Sequence, residues 1–175
     1  MARETKFDLT NAVIVRDAKE KLQPMLMQAV FGVVGMLMLS LLMLFVGYIG
    51  GNAIMIFMTV LIVFCNGLMI LQLADLLIKL SRLKSGRFEV VTDEYAGVRE
   101  VVHVSRHGSS INYYARFDQY GECLLSANDP VNPTVSSEYG DEFWLVIIDT
   151  KIRWFKGSGP IILAYNKKRY EYQNR

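Results

Sequence analysis

The residue types best suited to binding a ligand gather near the C-terminal end of the chain, where basic and aromatic side chains are interleaved. The candidate ligand-binding or lipid-facing patch, called the C-terminal patch below, consists of Lys151, Arg153, Trp154, Lys156, Lys167, Lys168 and Arg169. Basic side chains beside aromatic rings can hold a phosphate group and stack a base. On a domain tethered to a bilayer the same side chains can face anionic lipid instead. A third interpretation is a solvated β-hairpin with its rings turned towards a core and its lysines turned outwards.

Two histidines, His103 and His107, have the spacing that would place both imidazoles on one face of a helix. Their segment, VVHVSRH, is rich in β-branched residues and runs into a Gly-Ser-Ser turn signal, so it predicts a strand. In a strand the two side chains share a face but lie about 13 Å apart, which is too far to chelate one metal ion. The sequence therefore predicts no metal site.

The other reactive residues do not form a catalytic group. Cys123 has no His-Asp accompaniment and is predicted to be a small core residue, and Asp141-Glu142 is predicted to keep a turn solvated. The chain contains no Walker loop, no dinucleotide fingerprint and no Gly-x-Ser-x-Gly elbow. The net charge of +2 gives no argument for nucleic acid as a partner. We therefore predict a protein that is not an enzyme and that needs no cofactor.

The elements that must position these residues are short strands separated by turn signals. We predict strands over residues 88–92, 98–104, 111–117, 122–126, 143–148, 151–155, 161–165 and 169–172, with a rigid loop over 128–133. Short strands at this spacing are typical of a small antiparallel barrel or curled sheet, of the SH3-like or oligonucleotide-fold-like (OB-like) size. Residues 87–175 are therefore predicted to form a small all-β domain.

The segment before this domain differs from it in composition, because residues 24–74 contain no Asp, Glu, Lys or Arg. One helix of that length would be more than twice as long as the hydrocarbon core of a bilayer, which is about 30 Å thick. Two helices, over about 25–47 and 53–73, each match one crossing, and Gly50-Gly51 can supply the turn between them. The sequence therefore predicts a hairpin of two transmembrane helices.

Small and polar residues within the hairpin suggest where helices meet. The candidate helix–helix contact residues are Gly32, Gly35, Asn66 and Gly67. Glycines let helices approach closely, and Asn66 can hydrogen-bond across an interface, either within the hairpin or with another subunit. Alternatively, Asn66 lies near enough to the headgroups to stay hydrated. No ionisable side chain in the spans could serve as a proton relay or ion site, so a transporter made of one hairpin is not predicted.

Residues 1–23 are predicted to form a cytoplasmic or interfacial segment. Asn11 can cap a short helix over 12–23 that Pro24 ends. The apolar stripe of this helix consists of Leu9, Ile14, Ala18 and Leu22. We expect the helix to lie on the membrane surface. The alternative is that residues 12–15 add a β-strand to the C-terminal domain.

Basic residues flank both ends of the uncharged run, whereas the turn in its middle carries no charge. They are Arg16, Lys19, Lys21, Lys79, Arg82, Lys84 and Arg87. The positive-inside rule therefore predicts that both termini are cytoplasmic, and we expect a multi-pass protein of a bacterial inner membrane. Residues 75–86 are predicted to be a basic juxtamembrane linker.

These features favour a membrane-anchored interaction or assembly module. Its predicted partners are the bilayer, further copies of the chain or a larger membrane complex, and a cytoplasmic protein. This function predicts an exposed apolar patch or an open sheet edge on the β-domain. The alternative is a ligand-gated membrane effector whose β-barrel binds a small anionic ligand such as a nucleotide.

Overall fold

The computed structural model describes residues 6–50, 53–105, 108–125, 137–148, 150 and 159–173. The elements, in chain order, are β1 (Phe7–Leu9), α1 (Asn11–Gly50), α2 (Ala53–Lys84), β2 (Glu89–Ser105), β3 (Gly108–Phe117), β4 (Gly121–Leu124), β5 (Glu142–Ile147), β6 (Ile161–Asn166) and β7 (Tyr170–Tyr172). The chain divides into two compact units. The hairpin unit is Leu22–Ile78, and the sheet unit combines Met1–Lys21 with Lys79–Arg175.

Both helices are long and apolar enough to cross a membrane. They are longer than predicted, because α1 has 40 residues and α2 has 32. The prediction that Pro24 ends a short helix is wrong, since Pro24 lies inside α1. Proline removes the hydrogen bond to the carbonyl of Glu20, but both residues are on the exposed side of the helix, where the freed carbonyl is accessible to another donor. The N-cap is Thr10 and not Asn11, because Thr10 Oγ1 accepts a hydrogen bond from the N–H of Val13 at 3.5 Å.

Within the hairpin unit, each helix buries a narrow seam in which residues recur at seven-residue intervals. Val33, Ser40 and Gly47 follow this spacing on α1, and Thr59 and Asn66 follow it on α2. A seven-residue period is the mark of two helices that pack as a coiled coil. The outward faces are apolar and exposed, with four phenylalanines each about two-thirds exposed: Phe31, Phe45, Phe57 and Phe64. The side chains in the seam are thus smaller and more polar than those on the outward faces. In a helix pair of a water-soluble protein, the buried seam would be the more apolar of the two surfaces.

The sheet unit contains a five-stranded antiparallel sheet with the strand order β4-β3-β2-β5-β6. The long strand β2 changes partner along its length, pairing with β5 over residues 89–94 and with β3 over 95–105. The change occurs at a register shift between Tyr95 and Gly97, where Gly97 has φ +108° and allows a bulge. The two predicted strands at 88–92 and 98–104 are therefore one bent strand.

The bend curls the sheet until its two edge strands approach each other. Cys123 Sγ on β4 lies 3.8 Å from the carbonyl oxygen of Ile162 on β6. No ladder joins β4 to β6 among the described residues, so the sheet is not closed into a barrel. The curled-sheet prediction is confirmed and the barrel prediction is wrong. The strands predicted at 111–117, 122–126, 143–148, 161–165 and 169–172 correspond to β3, β4, β5, β6 and β7. The strand predicted at 151–155 and the loop predicted at 128–133 lie outside the described part of the chain.

The concave face of the sheet encloses an aromatic core. The rings of Tyr95 and Phe117 lie 5.5 and 5.6 Å from the ring of Phe143, measured between centroids. Ala115 and Leu145 are fully buried beside them. Burial raises the pKa of the Tyr95 phenol, because an apolar environment disfavours the phenolate. Cys123 belongs to this core, as the sequence predicted.

The opposite face of β5 and β6 is buried as well. Tyr165 on β6 is fully buried, and its hydroxyl donates a hydrogen bond to Asp17 Oδ2 on α1 at 3.0 Å. The first turns of α1 therefore lie on this face, and their apolar residues Ile14 and Ala18 are fully buried. The predicted basic linker is the last part of α2, where Leu83 is fully buried too. The start of α1 and the end of α2 thus belong to the fold of the sheet unit.

Candidate functional site

The structure describes three residues of the C-terminal patch, and they form the turn between β6 and β7. These are Lys167, Lys168 and Arg169. The other four predicted patch residues lie outside the described residues: Lys151, Arg153, Trp154 and Lys156. The described part of the patch thus occupies one tight turn, in which the N–H of Arg169 donates to the carbonyl of Asn166 at 3.0 Å.

Lys167 is held in place by β5. Its Nζ donates to Glu142 Oε2 at 2.9 Å and lies 4.3 Å from the centroid of the Trp144 ring. An ammonium group over an indole face gains electrostatic attraction from the ring. The lysine is therefore already engaged by a carboxylate and by an aromatic ring of the same sheet. Trp144 Nε1 is buried and has no hydrogen-bond partner among the described residues.

Lys168 belongs to a polar cluster around the buried carboxylate of Asp141. This carboxylate also accepts hydrogen bonds from the N–H of Glu138 at 3.1 Å and from the amide of Asn166 at 3.3 Å. Burial by itself would raise the pKa of Asp141, but the hydrogen bonds from Lys168, Glu138 and Asn166 together lower it below its ordinary value. The cluster joins the turn before β5 to the turn after β6, which is a structural role. For Lys167 and Lys168, the described contacts favour the interpretation of a solvated turn.

The two histidines cannot be compared as a pair, because His107 and the side chain of His103 lie outside the described residues. The backbone of His103 is part of β2 and pairs with Ser110 on β3, so this segment is a strand as predicted. Among the described residues, no group of three or more His, Cys, Asp or Glu side chains is arranged to hold a metal ion.

The predicted helix–helix contact residues differ from one another in their surroundings. A Cβ atom added to Gly32 would clash with the terminal methyl of Met69, so the end of this long side chain of α2 lies against Gly32. A Cβ atom on Gly35 or on Gly67 would meet nothing within 4 Å. Only Gly32 of these three glycines therefore lies at a tight contact within the hairpin.

Asn66 lies in the seam of the hairpin and is 3% exposed. Its Oδ1 has no hydrogen-bond partner among the described residues. The other two polar seam residues are satisfied within their own helices, since Ser40 donates to the carbonyl of Met36 at 2.7 Å and Thr59 donates to that of Met55 at 2.9 Å. Asn66 is thus the polar seam side chain with an unsatisfied atom in the described hairpin.

Sequence reasoning missed the attachment of the N-terminal residues to the sheet. β1 pairs in parallel with β7, and Tyr172 Oη donates to Asn11 Oδ1 at 3.1 Å. Lys21 Nζ donates to the carbonyl of Leu124 at 2.6 Å. The apolar stripe at Ile14 and Ala18 was the available signal, but its spacing does not say what covers it.

The described surface also contains a two-stranded ribbon, formed by residues 98–105 of β2 and 108–115 of β3. β5 pairs with β2 only over 89–94, and β4 pairs with β3 only over 114–117. The outer edges of the ribbon over 98–105 and 108–112 therefore have no strand partner among the described residues. Such edges expose backbone N–H and C=O groups that can pair with another strand.

One face of the ribbon carries mostly apolar side chains out of the core and into solvent, with the exposed Glu100 between Val98 and Val102. Near the core, Val98 pairs with Ala115, which is fully buried. Further out, Val102 pairs with Ile111, and these side chains are 54% and 48% exposed. Val104, on the same face, is 82% exposed. At its outer end the ribbon therefore combines edges that have no strand partner among the described residues with a group of exposed β-branched side chains.

Comparison with known proteins returns no match for this chain, whether with protein-family models, with curated proteins or with solved structures.

Proposed function

We propose that this protein is a membrane-anchored interaction module that does not perform catalysis. The hairpin unit crosses the bilayer, and the ribbon of the sheet unit binds an extended segment of a cytoplasmic protein. The observation that carries the proposal is the ribbon, because its open edges and exposed apolar face are the features that recognise a β-strand.

The surface of the hairpin supports the membrane anchor. Only 17% of the most apolar window of α1 and 11% of that of α2 are buried. A core helix of a water-soluble protein would be mostly buried. Most of the large exposed side chains of this unit are apolar, and lipid tails are the solvent in which such a surface is stable.

The proposed orientation follows from charge. Arg16, Lys19 and Lys21 precede the uncharged run, and Lys79, Arg82 and Lys84 follow it. The turn between the helices carries no basic residue, so the positive-inside rule favours a cytoplasmic sheet unit. A cytoplasmic ribbon would meet cytoplasmic partners.

The chemistry of the ribbon defines the kind of partner. Backbone groups along its edges would pair with an extended chain, and Val102, Val104 and Ile111 would pack against apolar side chains at alternate positions of that chain. A strand with apolar residues at every second position is therefore the expected ligand. Backbone pairing along the edge of the ribbon would supply the affinity for the partner strand. The exposed apolar side chains would fix the register in which that strand pairs.

The test compares two double variants of the full-length protein in membranes of its own host. Val102→Lys with Val104→Lys places two charges on the apolar face of the ribbon. Ser110→Lys with Asn112→Lys places the same charge on the opposite face, which serves as the matched control. We expect the wild type and the control to be extracted as a complex larger than the protein alone, and the first variant to be extracted without its partner.

The partner identified in that complex would then be purified and added to the protein in lipid nanodiscs. We expect binding to fall at least tenfold with the first double variant and to be unchanged with the second. Equal loss with both variants, or loss with neither, would contradict the proposal. A ribbon-dependent dimer of the purified protein alone would identify a second copy as the occupant and would overturn the proposed partner.

A further inference from the structure

The apolar face of the ribbon also carries a charged residue, Glu100, which lies two residues before Val102 on β2. Its side chain is exposed, and no ion pair joins it to another described residue. Its neighbour on β3 is Tyr113, which is uncharged. By contrast, Arg99 on the opposite face pairs with Glu122 at 2.6 Å. A carboxylate without a positive neighbour among the described residues is thus part of the surface that the proposed partner would cover.

The backbone of Glu100 points to the outer edge of β2. On β3, the carbonyl of Tyr113 accepts a hydrogen bond from the N–H of Leu125 at 2.8 Å, so the backbone groups of Tyr113 point away from β2. Opposite residues in an antiparallel pair alternate between hydrogen-bonded and non-hydrogen-bonded positions, and Glu100 is opposite Tyr113 at a non-hydrogen-bonded one. The N–H and C=O of Glu100 therefore face outwards, and the same alternation turns those of Val102 and Val104 outwards.

This geometry brings the two binding features of the ribbon together. A strand added to the outer edge of β2 would hydrogen-bond to the residues whose side chains form the apolar face. In an antiparallel strand, the side chain directly opposite Glu100 would have its Cβ atom about 4.5–5.5 Å away, within reach of the carboxylate. Among the described residues, the edge of β2 is open over 98–105 and that of β3 only over 108–112, so β2 offers the longer template.

We infer that the ribbon selects an extended segment that carries a basic residue opposite Glu100, between its apolar residues. The inference rests on the proposed function, because it describes the strand that the ribbon would bind. Opposite charges on paired strands stabilise the pairing, whereas like charges directly opposite each other weaken it. An apolar side chain over Glu100 would remove water from the carboxylate without replacing its hydrogen bonds.

The expected segment therefore reads apolar, apolar, basic, apolar at every second position. The residues that it would face are, in order, Val104, Val102, Glu100 and Val98.

Glu100 also disfavours a second copy of the chain as the occupant. Within residues 98–105, the other side chains of β2 on the face of Glu100 are valines. A second copy paired along this span would place a valine or another glutamate opposite Glu100, and neither offers a positive charge. Charged side chains on edge strands protect sheets from such pairing between copies.

The experiment uses the full-length protein in nanodiscs of phosphatidylcholine, a lipid without net charge. The probes are three fluorescent peptides of the sequence Thr-Val-Thr-Val-Thr-X-Thr-Val-Thr, in which X is lysine, glutamine or glutamate. Fluorescence anisotropy measures their affinity. We expect the lysine peptide to bind about tenfold more tightly than the glutamate peptide, with the glutamine peptide between them. About 0.5 M sodium chloride should reduce this difference, because salt screens an exposed ion pair.

Glu100→Lys should reverse the preference, so that the glutamate peptide binds about tenfold more tightly than the lysine peptide. A gain of affinity for one peptide separates this effect from loss of the fold, which would weaken the binding of all three. Glu94→Lys is the matched control, because Glu94 is an exposed residue of the same strand at a position where β5 occupies the edge. We expect Glu94→Lys to keep the wild-type order.

The outcomes separate this inference from the proposed function. Equal binding of the three peptides that is lost with Val102→Lys and Val104→Lys would overturn the basic residue and leave the strand-binding ribbon in place. An equal reversal with Glu94→Lys and with Glu100→Lys would also overturn it, because it would show a general attraction between charges. No binding of any peptide, or binding that the ribbon double variant does not weaken, would overturn both proposals. A ribbon-dependent dimer of the wild type that excludes the peptides would identify a second copy as the occupant and would likewise overturn both.

Discussion

The Nζ atom of Lys168 lies 2.6 Å from Oδ1 of Asp141, and this ion pair joins the turn after β6 to the residue that precedes β5. The carboxylate is 7% exposed, whereas the lysine side chain is 61% exposed. The pair lowers the pKa of Asp141 and raises the pKa of Lys168. The stabilisation that the ion pair contributes is therefore lost in acid, where Asp141 gains a proton, and in strong base, where Lys168 loses one.

The first prediction concerns the stability of the sheet unit in acid. The pKa of Asp141 is lower in the folded chain than its ordinary value of 3.8, so the stabilisation is complete above pH 3.8 and is lost as the pH falls through the lowered pKa. We expect Asp141→Asn to reduce the free energy of unfolding by about 1–3 kcal/mol at neutral pH. The difference from the wild type should shrink below about pH 4.

Tryptophan fluorescence can measure this effect, because both tryptophans, Trp144 and Trp154, belong to the sheet unit. Denaturant unfolding of the full chain in detergent would be followed between pH 7 and pH 2.5. Asp118→Asn, at an exposed carboxylate, is the control and should unfold as the wild type does. Parallel pH profiles for the wild type and Asp141→Asn would show that the pair does not stabilise the fold.

The second prediction separates the glycines of the hairpin unit. Gly32→Leu should destabilise the pairing of α1 with α2 by about 1 kcal/mol, because the end of the flexible Met69 side chain must move out of the space that the new side chain needs. Gly35→Leu and Gly67→Leu should be tolerated, since nothing lies within 4 Å of a Cβ atom at either position. The measurement is resistance of the hairpin to denaturation by sodium dodecyl sulfate. Equal effects at all three positions would contradict the packing described for Gly32.

The third prediction concerns the apolar stripe at the start of α1. Ile14 is fully buried in the sheet unit, so Ile14→Ala should lower the free energy of unfolding by about 2–5 kcal/mol. Val102→Ala, at a side chain that is 54% exposed, should change it by less than about 0.5 kcal/mol. Tryptophan fluorescence gives the unfolding curves. If Ile14→Ala weakened only membrane association, the stripe would be a lipid-binding face as the sequence suggested.

The fourth prediction tests the proposed orientation in intact cells. Cys65 and Cys123 would first be replaced by alanine. Tyr48→Cys, at a side chain that is 88% exposed near the turn of the hairpin, should react with a membrane-impermeant maleimide added outside the cells. Tyr139→Cys, at a side chain that is 80% exposed in the sheet unit, should react only after the membrane is permeabilised. Labelling of Tyr139→Cys in intact cells would reverse the orientation.

Much of the secondary structure could be predicted, because its signals are local. Strands β3, β5 and β6 follow from β-rich runs bounded by turn residues. The two helices follow from an uncharged run that is too long for one membrane crossing. The end of α2 follows from Gly86, since a left-handed residue after a helix favours glycine.

Partners across the fold could not be predicted, because periodicity shows which face is buried and not what buries it. The stripe at Ile14 and Ala18 predicted a buried face, but the sheet covers it where a membrane surface was expected. Lys168 looked available to a ligand, and the pairing of β5 with β6 gives it a carboxylate 27 residues earlier in the chain. The unpaired edges of the ribbon likewise depend on where β4 and β5 end.

The sequence by itself thus determined the uncharged helical hairpin, the β-rich second half of the chain and most strand positions, since each depends on residues close together along the chain. Only the tertiary structure decided that the five-stranded sheet curls without closing, that β1 pairs with β7 in a second, two-stranded sheet, and that the start of α1 packs against β6. These arrangements depend on the bend of β2 and on contacts between distant residues, which no local pattern encodes.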